Sequence, residues 1–580
     1  MVRVTVCSLA GHEVFGPEEF VVAPFVADLK VQVWERLGSK RDVRVQLCSG
    51  SQVLHEEDRV DVCSPGCDVE LTALQVSPVY EVVAWGSGWA GGSTAGAVRR
   101  AVSRDVCSIV GNGRAFAAVK KGGRTVAWGD PQVGGDAAPA AAALQQDVRE
   151  IVCNAHAFAA LKYDGSVVAW GDAENGGDAS AVAESLVDVV QVVSNPCAFA
   201  ALSATGKVVA WGKAARGGDC SHLSGELQSG VRKICSNAAA FAALKGSGAV
   251  VTWGGAEHGG NSNMVADKLS EGITEVYTNG YAFAATTSDH RVVTWGDQTN
   301  GGASCPLGDA PCAAGIRTIV GNGRAFALIS GEGQVMTWGD VSRGGDASAV
   351  AGALASGVVQ IFCNAFAFCA LKDTGAAVTW GAPAKGGDSS SVAANLAGDV
   401  RTVYTNGSSF AAVKNDGAVI AWGDATAGGS LGAAAESLTQ GIVKVFGNGR
   451  AFAALTEKGR VITWGDPLRG GDSAASAAAL AEGVTAVHFN SHAYAALKSD
   501  GSVVTWGSPN HGGDSAEVRR LLDAHVFMVR STGHAFAALR EVQEDEAELS
   551  NDDSPHEDGE EDALDGPFSD AGSDEDADPA

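Results

Sequence analysis

No long uncharged apolar run occurs in the 580 residues, so the sequence offers no candidate transmembrane helix. The opening stretch MVRVTVCSLAG lacks the apolar centre of a secretory signal and alternates as a strand does. Signatures of chemistry are missing too. There is no GxxxxGK[ST], no HExxH, and no GxSxG at a strand-to-helix elbow. GNGRAF, at 111–116, 321–326 and 447–452, has two glycines but no third and precedes a strand, so it reads as a turn. Cys63 and Cys67 have no second close pair, which argues against a zinc site. Cys107, Cys153, Cys235 and Cys363 fall beside one strand register, as expected of reduced, buried thiols in a cytoplasmic or nuclear protein. We therefore expect no catalytic, cofactor-binding or metal-binding residues, and no enzyme.

The net charge of −27 is unevenly spread. Residues 541–580 hold 18 acidic residues and no Lys or Arg, and are expected to be disordered. Within them Ser550, Ser554 and Ser573 each precede an acid by three residues, a setting for phosphorylation. Residues 79–540 hold 38 acidic and 34 basic residues. Such a near-neutral body lacks the phosphate-neutralising charge of a general nucleic-acid binder.

Residues 1–76 form a first region. VRVTVCSL and EEFVVAP suggest strands, and Phe25, Leu29, Val33 and Leu37 share one face of an expected helix. VRVQLCSGSQVLHEEDRVDVCSPGCDVELTAL then reads strand, turn, short strand, loop, strand. This ββαββ order, with the segment from Gly50 to Asp58, resembles the ubiquitin-like fold. The region runs on through a 77–80 linker without a terminal Gly-Gly pair. The resemblance thus implies a built-in docking domain and no modifier.

What fills the rest is repetition. Trp-Gly pairs stand at Trp85, Trp128, Trp170, Trp211, Trp253, Trp295, Trp338, Trp380, Trp422, Trp464 and Trp506, 41 to 43 residues apart. Each full unit carries three apolar runs, V-x-x-I-V, AFAAL and VVAWG or VVTWG. An Asp-Gly turn such as KYDGS (162–166) separates the last two, a strong hairpin signal. A loop ending in Gly-Gly follows the tryptophan, then commonly an Asp (136, 178, 219, 346, 388, 472 and 514) placed to cap a short helical turn. The tryptophans and AFAAL aromatics are expected in the core. About three strands and a short helix per unit predict a mainly β, propeller-like body over 81–540.

The run FAALKYDGSVVAWGDAENGG resembles the regulator-of-chromosome-condensation repeat. The matching positions are Leu161, Gly165, Trp170-Gly171 and Gly176. That resemblance implies propeller blades and, among partners, a small GTPase or chromatin. One position departs: the family's histidine before the second strand is Ala or Ser in every unit, from Ala115 to Ala535. HERC-type ubiquitin ligases also carry these repeats, joined to a HECT catalytic domain. This chain resembles their repeat portion only, and no HECT domain is seen after residue 540.

The ends bear on architecture. The first unit has EVVAWG (81–86) without the preceding phrase, and the last has GHAFAAL without a tryptophan strand. Pairing 535–539 with 82–85 would complete an eleventh unit and leave no bare edge. We prefer that closed ring; the alternative is an open array whose half-units serve as caps.

The position five past each tryptophan varies while its neighbours repeat. It includes Asn175, Arg216, His258, Asn300, Arg343, Lys385, Arg469 and His511. A second variable position, before the AFAAL run, carries Arg114, His156, Arg324, Arg450, His492 and His534. Equivalent positions of stacked repeats share a face, so these residues form a candidate partner-binding rim suited to an acidic partner or the acidic tail. Solvated loop tips are the plainer reading. The function expected is a non-enzymatic protein-interaction scaffold, linked to ubiquitin-pathway components through residues 1–76. The alternative is an exchange factor or regulator of a small GTPase.

Overall fold

A computed structural model describes residues 2–8, 13–20, 44–49, 52–53, 68–76, 79–303 and 305–542. The first region contributes five strands: β1 (Val2–Ser8), β2 (Glu13–Phe20), β3 (Arg44–Ser49), β4 (Gln52–Val53) and β5 (Asp68–Val76). They form one mixed sheet in the order β2-β1-β5-β3-β4, with β1 parallel to β5 and the other pairs antiparallel. The helix expected around Phe25 to Leu37 lies outside the described residues, as does the expected disorder of the tail beyond Val542.

From Tyr80 onward the chain builds eleven antiparallel three-stranded sheets, each named here by its tryptophan. The Trp170 sheet shows the pattern. Val148–Cys153, Ala157–Lys162 and Val167–Gly171 are its strands. Phe158 sits opposite Trp170 and Leu161 opposite Val167. The turn between them is held by the Asp164 carboxylate, which accepts from the Ser166 amide at 2.9 Å. Gly165 adopts φ +79°, and a Cβ there would stand 2.8 Å from the Asp188 backbone. The Trp295 sheet breaks this rule: His290 takes the glycine's place at φ +65°.

The AFAAL strand is apolar throughout because both its faces are covered. Phe158, Ala160 and Trp170 pack against Ala115, Ala117 and Val119 of the preceding sheet. Ala157, Ala159 and Leu161 pack against Phe199 and Trp211 of the following one. Small alanines let neighbouring middle strands approach, and the aromatic fills the space between. Within each sheet the aromatic and the tryptophan stack, as Phe158 and Trp170 do at 5.2 Å. Each indole N–H donates to the first loop glycine of the preceding unit; Trp170 reaches the Gly134 carbonyl at 3.0 Å. That glycine admits no side chain, since a Cβ on Gly134 would lie 2.6 Å from the Phe158 ring.

Each unit then adds short helical turns. The Asp residues expected to cap them do so: Asp178 accepts from the Ser180 amide and Asp136 from the Ala138 amide, both at 2.8 Å.

The eleventh sheet is made from the two ends of the repeat body. Ala535–Glu541 pairs on one side with Val526–Ser531 and on the other with Tyr80–Gly86. Phe536 lies opposite Trp85 and Leu539 opposite Val82. The pair extends to Tyr80 and Glu541, one residue beyond each expected boundary of 81–540. Trp85 donates to the Gly512 carbonyl at 3.1 Å, as every other repeat tryptophan does to its predecessor. The first strand of each sheet touches the first strand of the next, and Val526–Ser531 touches Val106–Gly111.

Candidate partner-binding rim

One buried side chain per unit ties both variable positions together. Asn154 accepts from the amides of His156 and Ala157, at 2.8 and 2.7 Å, and its own amide group donates to the Asn175 carbonyl at 2.8 Å. The same arrangement recurs in ten units, from Asn112 to Asn490. In the Trp85 sheet Thr532 replaces it, reaching the Ala90 carbonyl at 3.2 Å. A buried carboxamide satisfied at both ends is a rigid spacer, because each lost bond would strand a polar group. It places the residue two past the Asn and the residue twenty-one past it side by side.

The side chains at these positions meet in chains of rings and cations. His258 stacks on Tyr281 at 5.1 Å, and the Arg324 guanidinium lies 5.1 Å from the same ring. Arg343 covers Phe366 at 4.4 Å, with Lys385 at 5.9 Å. Lys385 also pairs with Asp424 at 2.8 Å, and that hydrogen bond helps hold the carboxyl down at about 2. Arg114 pairs with Asp130 at 3.0 Å and Arg450 with Asp466 at 3.3 Å. Trp89, 54% exposed, lies 5.0 Å from His534, and the Arg114 guanidinium lies 6.0 Å from the Trp89 ring centre. His492, His511 and His534 gather beside it, with ring centres 4.1, 5.1 and 5.4 Å apart pairwise.

Several expectations need correction. Asn175 and Asn300 are buried and do not present side chains to a partner. Asn175 donates to Asp172 at 2.8 Å and Asn300 to the Thr299 hydroxyl at 3.2 Å, so both brace their own turns. Arg216, His258, Arg343, Lys385, Arg469, His511, Arg114, His156, Arg324, His492 and His534 are partly exposed, and Arg450 is exposed. The sequence reading missed Tyr281 and Phe366, which occupy the same repeat position as Arg114; counting two residues past each periodic Asn finds them. Trp89, outside the repeated pattern, had no such signal. It also missed the Asn clamp itself.

Cys153, Cys197, Cys220, Cys235, Cys305, Cys312, Cys363 and Cys369 are free thiols. Burial pushes the Cys153 and Cys363 thiols up to about 11, so both stay protonated and inert; Cys107, expected among them, is exposed. First strands near the end-to-end sheet line an open pocket of about 380 Å³, its residues including Val110, His488, Phe489 and Arg530. Burial, reinforced by Arg530, lowers the His488 pKa to about 4. Among the described residues no helix is long and apolar enough to cross a membrane.

No family model matches the sequence, and no curated protein matches it. Solved structures with some likeness include Prp20p from Saccharomyces cerevisiae, described with its binding properties to Gsp1p and histones. It is 12% identical over 83% of this chain and 95% of that one, with a TM-score of 0.28. Human WBSCR16 is 18% identical, covering 46% of this chain and 86% of its own, with a TM-score of 0.26. The ectodomain of the Physcomitrella patens receptor kinase CR4 is 13% identical over 57% and 76%, with a TM-score of 0.25.

Proposed function

We propose that this chain is a non-enzymatic interaction platform of the cytoplasm or nucleus, whose eleven sheets close into a ring and whose clamped rim binds an acidic protein surface. Closure is supported by the strand pair Tyr80–Gly86 with Ala535–Glu541 and by the Trp85 to Gly512 hydrogen bond. Binding is supported above all by Arg343, Phe366 and Lys385. They form a partly exposed cation–aromatic–cation group that the sheets do not need for packing. Such groups offer charge and flat apolar area together, the composition of binding hot spots. Replacing Arg216, Arg343, Lys385 and Arg469 by Glu is expected to abolish a salt-sensitive pull-down of the partner. Retention at low salt would reject the rim.

Among acidic partners, a small GTPase is the class implied by the repeat resemblance. Nucleotide release from a panel of GTPases discriminates: acceleration by the full chain would favour an exchange factor, and its absence a non-catalytic platform. A link to ubiquitin-pathway components rests on residues 1–76. Parallel pairing of β1 with β5 requires a crossover connection, as a ββαββ chain of ubiquitin-like type would have. Capture of proteasome or ligase components by the full chain, lost on removing residues 1–76, is the outcome that supports it.

A further inference from the structure

Three of the partly exposed rim residues are histidines that gather on one another, with ring centres 4.1 to 5.4 Å apart. His492, His511 and His534 each bring one ring nitrogen into a group whose members lie within 4.8 Å of one another. We propose that these three histidines form a binding site for a borderline divalent transition-metal ion, with Zn²⁺ as the reference ion, on the rim beside the end-to-end sheet.

The fold supplies the preorganisation. Asn490 accepts from the His492 amide at 2.9 Å and donates to the His511 carbonyl at 2.8 Å, so one side chain fixes two of the three backbones. His534 comes from the neighbouring sheet, where Thr532 holds the following residue through the Ala535 amide at 3.0 Å. The Nδ1 atoms of His492 and His534 are buried and have no hydrogen-bond partner. Orphaned buried nitrogens are costly, and a metal satisfies them. His511 Nδ1 instead meets the Ser508 hydroxyl at 2.7 Å. With the proton on Nδ1, that bond orients the ring and leaves Nε2 free, the outer-shell pattern of metal-bound imidazole.

Imidazole nitrogens suit zinc and its neighbours in the first transition row. Three nitrogens at about 2.0–2.1 Å from a tetrahedral ion lie about 3.3 Å apart, so ring rotation of a modest kind closes the group. Arg114 and Arg469 stand nearby and oppose a cation, although Arg114 is paired with Asp130. Three protein ligands leave a further position open toward the rim, where a water or a partner's side chain can complete the shell.

The full chain, stripped of metal by chelation, is titrated with Zn²⁺ in a calorimeter. One equivalent is expected to bind, and His511→Gln and His534→Gln each weaken that binding about tenfold or more. His156→Gln, in the same repeat position but far along the chain, leaves it unchanged. Co²⁺ is expected to give the visible absorption of a low-coordinate nitrogen site, lost in His511→Gln. A second measurement uses the wild-type chain alone, so that a misfolded variant cannot obscure the answer. Zn²⁺ should protect His492, His511 and His534, but not His156, from carbethoxylation read by peptide mass. Equal affinity in the wild type and the His511→Gln/His534→Gln variant, or equal modification with and without Zn²⁺, overturns the site.

Discussion

The Trp170 sheet is one continuous stretch of chain, whereas the Trp85 sheet joins residues separated by more than 400 positions. Their interiors are nonetheless alike. Aromatic and indole stack at 5.2 Å in one and 5.4 Å in the other, and the indole bonds are 3.0 and 3.1 Å. The differences lie where chain continuity is lost. The Trp170 sheet has the Asp164-Gly165 turn. In its place the Trp85 sheet has a longer strand pair, a Tyr80–Phe527 stack at 5.5 Å, and an Arg540–Glu81 ion pair at 2.6 Å. Arg540 is only 6% exposed, so this pair sits where solvent screening is weak. Side-chain contacts thus take over the role a turn plays elsewhere, which is to hold two strands in register.

The sharpest way to break the comparison is to end the chain after His534. Tyr80–Gly86 and Val526–Ser531 would both lose their partner, exposing two edges. We expect aggregation and loss of the cooperative thermal transition, read by light scattering and circular dichroism. A native-like melt would mean that the eleventh sheet contributes little.

Phe158→Ala and Phe536→Ala come next, each costing about 3–5 kcal/mol by removal of a fully buried ring. Equal costs in urea unfolding would show that the joined sheet is as cooperative as a continuous one; a smaller cost for Phe536→Ala would show that it opens first. Arg540→Ala is expected to cost about 2–3 kcal/mol, because it leaves Glu81 without its charged partner. Mutating Thr532 sharpens the contrast in the other direction. Thr532→Asn restores the clamp of the other ten units and should stabilise the chain by about 1 kcal/mol.

The smallest effect is a pH dependence beside the same sheet. His488 has its pKa lowered from an ordinary value near 6.5 to about 4, where the Trp170 sheet carries Val152. Its unfolded form therefore binds a proton that the folded form refuses. Its contribution is fully present above about 6.5 and is lost as pH falls toward 4. His488→Val should flatten this part of the melting curve, and an unchanged slope would assign the acid sensitivity elsewhere.

Much of this was readable in advance, for definite reasons. Trp170, Phe158 and Gly165 recur at fixed intervals because each unit solves the same packing problem, and Asp178 caps a turn only two residues away. Local partners leave local signals. Asn154 also recurs, but one of its three partners is a carbonyl twenty-one residues on, so spacing alone did not reveal that it ties two loops together. Asn175 and Asn300 were misjudged for a related reason. A variable position looks like surface, yet a short amide can fold back onto its own turn.

The sequence by itself determined the unit: its three strands, its hairpin, its aromatic pair and its capped turn, all set by contacts within about forty residues. Only the tertiary structure decided which surfaces the units share. His492 and His534 lie one repeat apart, and His511 lies on the loop between them. They meet because neighbouring middle strands pack alanine against aromatic closely enough to bring adjacent loops together. The joining of GHAFAAL to EVVAWG has the same origin. Each half has its partner's complementary edge, and burial of Phe536 and Trp85 between neighbouring sheets rewards closing the gap.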